Sequence, residues 1–162
     1  MAKSEQLQIR VSVREKERLR QLAAAAGQDI STYVLDKALP PAGRRFQELL
    51  ELLRTGAEVR YVLAELNDLL AGLEPPLLHD AVAQADLGGV NAYLQNYVAA
   101  MVEQACARRA VDPPAWTLRV EPLVEPHFAA PLASLRLHLL RTAPVVFKRR
   151  NIFVDATVGD RV

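Results

Sequence analysis

The sequence predicts a mainly helical chain. A strand–helix–helix module spans residues 1–41, and a larger helical domain over residues 44–162 closes in a short extended tail. Three observations predict this. Residues 7–13 alternate apolar and polar side chains, the pattern of a strand with one buried face. Two helical stripes follow, separated by Gly27. Beyond Pro40-Pro41, leucine-rich and valine-rich stripes at helical spacing recur between proline breaks.

In the strand, Leu7, Ile9, Val11 and Val13 fall on one face and Gln8, Arg10 and Ser12 on the other. The first helix, residues 15–26, carries Leu19, Leu22, Ala23 and Ala26 at i, i+3, i+4 and i+7, one stripe of a 3.6-residue period. Gly27 ends it, because glycine adopts the left-handed conformation at little cost. Ser31 is the expected N-cap of a second helix, residues 31–39, whose Tyr33, Val34 and Ala38 face inward. Pro40-Pro41 stops that helix.

A lone strand is not stable in water. The expectation is therefore a homodimer in which two copies pair their strands antiparallel. Its core would be Ile9, Val11, Val13, Leu19, Leu22, Tyr33 and Val34. The outer face of the paired strands would display Gln8, Arg10 and Ser12. Such a two-stranded element fits the major groove of DNA, where arginine reads guanine and glutamine reads adenine. Free N–H groups at Ser31 and Thr32 would receive a phosphate. Lys3, Arg14 and Lys16 would add phosphate contacts, which give affinity without sequence information.

These residues resemble the ribbon-helix-helix family of DNA-binding proteins over residues 6–39. The strand Gln8-Ile9-Arg10-Val11-Ser12-Val13, the turn residue Gly27 and the helix start Ser31-Thr32-Tyr33-Val34 carry the resemblance. It implies an obligate dimer, base reading by Gln8, Arg10 and Ser12, and a repressor or antitoxin role. Residues 1–43 hold seven bases and five acids, so DNA affinity would rest on a local patch doubled by the dimer.

In the remainder, Phe46, Leu49, Leu50 and Leu53 mark one helical stripe, and Val59, Val62, Leu63, Leu66, Leu69 and Leu70 another. Thr55-Gly56 lies between them as a break or a kink, and Pro75-Pro76 ends the segment. Bundle packing is favoured over a coiled coil. Residues 89–109 form the clearest long helix, and the stretch from Trp116 to Pro131, with three prolines, reads as extended. Residues 132–142 form a short helix with Leu132, Leu135, Leu139 and Leu140. Asn151 to Asp155 reads as a short strand or an extended tail.

Short antitoxins with this N-terminal pattern carry a disordered tail, whereas this second region is too apolar for disorder. Its closing segment is similar to regions of bacterial antitoxin-like partners of nucleotidyltransferase toxins. Charge is segregated: residues 61–112 hold seven acids and two bases, and residues 127–154 hold five bases and no acid. Phe147, Lys148, Arg149, Arg150 and Phe153 are the candidate partner-binding set, on charge and on aromatic anchors.

Catalytic motifs are lacking. The three histidines, His79, His127 and His138, have no second ligand at i+3 or i+4, so no metal or cofactor is expected. The single cysteine, Cys106, fits a reducing compartment. With no signal-peptide pattern and no apolar run long enough for a membrane span, the expected location is cytoplasmic. The functional expectation is a non-enzymatic homodimer that binds a palindromic double-stranded operator, represses its own operon and neutralises a toxin. A plasmid-mobilisation accessory protein is the alternative.

Overall fold

A computed structural model describes residues 8–38, 41–56, 58–130 and 132–155. The chain divides into two compact units, Met1–Pro40 and Pro41–Val162.

The first unit is a helix pair, α1 (Val13–Ala25) and α2 (Ile30–Ala38). The expected ribbon is absent, and the fold class is corrected accordingly: residues 8–12 form no strand. A local competitor explains why. Ser12 and Glu15 form a capping box, in which the Ser12 backbone N–H donates to Glu15 Oε2 at 2.8 Å and Glu15 N–H donates to Ser12 Oγ at 3.3 Å. Two orphan donors are satisfied this way, so the helix starts at Val13, inside the expected strand. Leu7 and Lys3 lie outside the described residues, as does Leu39.

At the other end of α1, Gly27 has φ +67°. Gly27 N–H donates to Ala24 O at 3.1 Å and Gln28 N–H to Ala23 O at 2.9 Å. This double closure satisfies the last carbonyls of the helix and requires the left-handed residue that glycine supplies. Among the described residues of this unit only Ala23 is buried.

Among its described residues, the regular structure of the second unit is helical apart from one pair of two-residue strands. In chain order it comprises α3 (Pro41–Thr55), α4 (Val59–Gly72), α5 (Pro75–Val82), α6 (Ala92–Arg108), α7 (Ala115–Arg119), β1 (His127–Phe128), α8 (Ala133–Thr142), α9 (Val145–Lys148) and β2 (Ile152–Phe153). The helices before Pro40-Pro41 and Pro75-Pro76 end as expected, at Ala38 and Gly72, and two of these prolines also open the next helix. Pro41 opens α3 and Pro75 opens α5, because the first helical position needs no backbone N–H. The break at Gly56, with φ +73°, ends α3.

Phe46, Leu49, Leu50 and Leu53 of α3 are all buried, as their spacing requires. They share a core with Leu66, Leu78, Val98, Val102, Phe147 and Ile152. Helix α6 is the central element and packs against α4, α5, α7 and α9. Its middle, Val98 to Val102, is buried throughout, and Ala99 and Ala100 leave room for neighbours on more than one side.

The stretch after Trp116 is more ordered than its prolines suggest. Trp116 Nε1 donates to Val82 O at 2.8 Å and ties α7 to the end of α5. β1 pairs parallel with β2, placing His127 opposite Ile152 and Phe128 opposite Phe153. Phe128 and Phe153 stack with ring centroids 4.8 Å apart. With Leu139, Ala143 and Ala130 they form a small satellite core, distinct from the main one.

Candidate nucleic-acid and partner interfaces

Gln8, Arg10, Arg14 and Lys16 are all exposed. Arg18 and Arg20 extend the basic surface along α1, and of these bases only Arg20 is ion-paired among the described residues, to Glu17 at 2.8 Å. Ser12 is exposed but occupied: its hydroxyl donates to Glu15 Oε2 at 2.7 Å. The Ser12 backbone N–H and hydroxyl hold the Glu15 carboxyl below its ordinary range. Ser12 is thus a helix cap, the role its spacing to Glu15 encodes.

The start of α2 also differs from expectation. Asp29, two residues before Ser31, does the capping. Its carboxylate accepts the Thr32 N–H at 3.0 Å and the Thr32 hydroxyl at 2.6 Å. Those bonds lower the Asp29 pKa, the hydroxyl bond most. A fixed negative charge therefore stands where a phosphate was expected, and an incoming anion at Ser31 and Thr32 would meet it.

The expected dimer-core residues divide by exposure. Ile9, Val11 and Val13 are 61%, 44% and 89% exposed, and Leu22 is exposed as well. Leu19, Tyr33 and Val34 are half-buried. Lys37 Nζ lies 5.8 Å above the Tyr33 ring.

The five expected partner-binding residues do not form one surface. Phe147 is fully buried and meets Tyr97 edge-on at 5.3 Å. Phe153 is buried under Phe128. Arg150 is only 5% exposed. Its Nη2 donates to Glu103 Oε1 at 2.5 Å and to Thr117 O at 2.7 Å. Its Nη1 donates to Asn96 Oδ1 and to Val120 O, both at 3.2 Å. Asn96 in turn donates to Glu121 O at 2.9 Å. This cluster pins the loop after α7 to α6 and to the turn after α9. Its signal in the sequence is the pair Asn96 and Glu103, two polar residues seven apart and so on one face of α6. Lys148 Nζ donates to Arg141 O at 3.0 Å, and Arg149 alone of the five is exposed.

A pocket of about 350 Å³ lies beside this cluster, lined by Glu103, Thr117, Leu118, Val146, Arg149 and Arg150. The Arg150 Nη donors are already engaged, leaving Arg149 as the charged group at its rim. The Gly88-Gly89 turn is filled by Arg54, whose Nε donates to Gly88 O at 2.6 Å and whose Nη2 lies 3.0 Å from Asp86.

The histidines are dispersed: His79 lies beside Asp80, His127 against the Tyr93 ring at 4.2 Å, and His138 within 4.0 Å of Asp155. Among the described residues no group of three or more His, Cys, Asp or Glu side chains could hold a metal ion. Cys106 is buried, and burial raises its thiol pKa. No described helix is long and apolar enough to cross a membrane.

Helix α8 forms where a short helix was expected over residues 132–142, and most of its leucines face solvent. Only Leu139 of its leucines is buried, while Leu132, just before it, Leu135, Leu137 and Leu140 are 61%, 44%, 67% and 44% exposed. No family model, curated protein or solved structure matches this chain.

Proposed function

We propose that the chain is a self-associating DNA-binding protein, an antitoxin that represses its own operon through residues 1–41 and engages a toxin through residues 44–162. One observation carries the first half. The N-terminal unit buries only Ala23 among its described residues, yet it exposes Ile9, Val11, Val13 and Leu22 beside Arg10, Arg14, Lys16 and Arg18. A helix pair with so little enclosed apolar surface gains its stability from a partner, and a second copy supplies the same apolar residues. Self-association also doubles the basic residues available to phosphates, so a modest charge excess suffices. A two-fold dimer favours a palindromic site.

This reading dispenses with paired strands and with the phosphate at α2. It assigns DNA contact to the exposed bases at and before α1. The test combines light scattering of the purified chain with gel-shift measurements on the DNA upstream of its own gene. A dimer is expected, with Val11→Asp shifting it toward monomer. Arg14→Ala with Lys16→Ala and Arg18→Ala should weaken retention, and the salt dependence should fall by about one unit of slope for each base removed from a phosphate. A monomeric wild-type chain, or unchanged retention by the triple variant, refutes the reading.

A further inference from the structure

We propose that the pocket enclosed by α6, α7 and α9 is a binding site for a small monocarboxylate with an apolar body. The inference goes beyond the proposed function, because its ligand is neither DNA nor a toxin, and neither reading needs the other.

Three parts of the second unit build the site. Glu103 and Ala107 are four residues apart on α6 and so share one face. Thr117 and Leu118 come from α7, and Val120 directly follows it. Val146 belongs to α9, and Arg149 and Arg150 come just after that helix. The Arg150 guanidinium ties these parts together, through Glu103 on α6 and the Thr117 and Val120 carbonyls. A hollow held in this way is formed before a ligand arrives, which limits the ordering cost of binding. At about 350 Å³ it lies at the small end of the range for small-molecule sites.

The lining selects the ligand. Ala107, Leu118, Val120 and Val146 make an aliphatic wall. A bare anion would leave that wall against water, whereas an apolar body covers it. The charged groups of the lining are two guanidiniums and one carboxylate, which leaves one positive charge in excess. Glu103 and Arg150 balance each other at 2.5 Å, so Arg149, exposed at the rim, carries the charge that remains. One negative charge on the ligand matches it. An ammonium group would meet Arg149 and find Glu103 already engaged.

Arg150 supplies an independent observation. Its Nη1 and Nη2 have two acceptors each. Its Nε is the one buried side-chain nitrogen or oxygen among the described residues without a hydrogen-bond partner. Buried donors are rarely left unsatisfied, and an orphaned one on a residue that lines a cavity marks a place where negative charge is favourable. A carboxylate beside Arg149 also lies in the field of this incompletely satisfied cation.

The probes are phenylacetate, its neutral amide phenylacetamide, the cation phenethylamine, and acetate, which is the head without the body. Ligands of this size are expected to bind in about the millimolar range. NMR titration of the nitrogen-labelled full chain at neutral pH reads such affinities. Phenylacetate should shift the amide signals of Thr117, Leu118 and Arg149 and bind about tenfold more tightly than phenethylamine, as attraction at Arg149 gives way to repulsion. Acetate should give no saturable shift there. Arg149→Ala should weaken phenylacetate about threefold, the scale of one exposed ion pair, and leave phenylacetamide unchanged. Ala107→Leu fills the pocket from an exposed helical position that leucine suits. It should weaken phenylacetate and phenylacetamide alike, with circular dichroism unchanged. Phenethylamine binding as tightly as phenylacetate, shifts confined to other residues, or no saturable shift with phenylacetate overturns the assignment. So does phenylacetate binding that Arg149→Ala leaves unchanged. Acetate binding as tightly as phenylacetate would make this an adventitious anion site and overturns it as well.

Discussion

Arg150 Nη2 and Glu103 Oε1 lie 2.5 Å apart, 47 residues distant in sequence, with side chains only 6% and 11% exposed. The bond joins the turn after α9 to the central helix α6. The same guanidinium bonds the Thr117 and Val120 carbonyls and so gathers three segments around one charge.

Breaking one side of this pair strands the other charge in a poorly solvated site. Glu103→Ala should therefore cost about 3–5 kcal/mol. Urea unfolding followed by the fluorescence of the single tryptophan, Trp116, measures it. Pairing Glu103→Ala with Arg150→Met should restore part of the loss. An unchanged midpoint in Glu103→Ala would show that the pair does not hold the domain.

Phe147 and Arg149 are two residues apart and should behave oppositely. Phe147→Ala removes a fully buried ring from the main core and should cost about 3–5 kcal/mol. Arg149→Ala changes an exposed side chain and should stay within about 0.5 kcal/mol. Similar effects at the two positions would contradict their difference in burial.

Cys106 is enclosed, and its raised thiol pKa keeps it in the unreactive protonated form. Ellman's reagent should react with the chain only under denaturing conditions. Rapid stoichiometric reaction with native protein would place the thiol at the surface.

The start of α1 should be acid-sensitive. The Ser12 backbone N–H and hydroxyl hold the Glu15 pKa below its ordinary value of 4.5. The stability this contributes is present above 4.5 and is lost as pH falls through the lowered native value. Far-UV circular dichroism should show helix loss in that range, and Glu15→Gln should lose the part due to this residue. An identical acid profile in that variant would count against the capping box.

At the alkaline end, burial pushes the Tyr93 pKa up to about 12. The folded state therefore resists its ionisation. Stability from this group is complete below the ordinary value of 10 and is lost as pH rises through about 12. Ultraviolet titration of the wild type should show a late phenolate step that Tyr93→Phe lacks. Complete tyrosine ionisation near 10 in the native chain would place the ring in water.

Local pattern carried most of the helices. The stripe Phe46, Leu49, Leu50 and Leu53 encodes both α3 and the face it buries, because spacing and burial are one property there. Gly27 and Gly56 marked real helix ends, since their positive φ is a local requirement. Prolines were ambiguous: the ring that stops a helix also starts one, and Pro41 and Pro75 start theirs. The strand expected at residues 7–13 failed because alternation describes a face, not a partner, while Ser12 and Glu15 offered the backbone a nearer set of bonds. The partner-binding cluster divided because a run of bases says nothing about burial. Arg150 lies inside because Glu103, Asn96 and two carbonyls converge there from distant parts of the chain.

The sequence by itself determined the helical class, the division near Pro40, the helix ends at Gly27 and Gly56, and the segregation of acidic and basic blocks. These follow from periodicity, turn chemistry and composition, which act over a few residues. Only the tertiary structure decided that Arg150 is a buried tie and that α8 turns most of its leucines to solvent. Each depends on which groups meet in the folded chain or on which face a neighbour covers, and helical spacing is the same whether a leucine faces its own core or solvent.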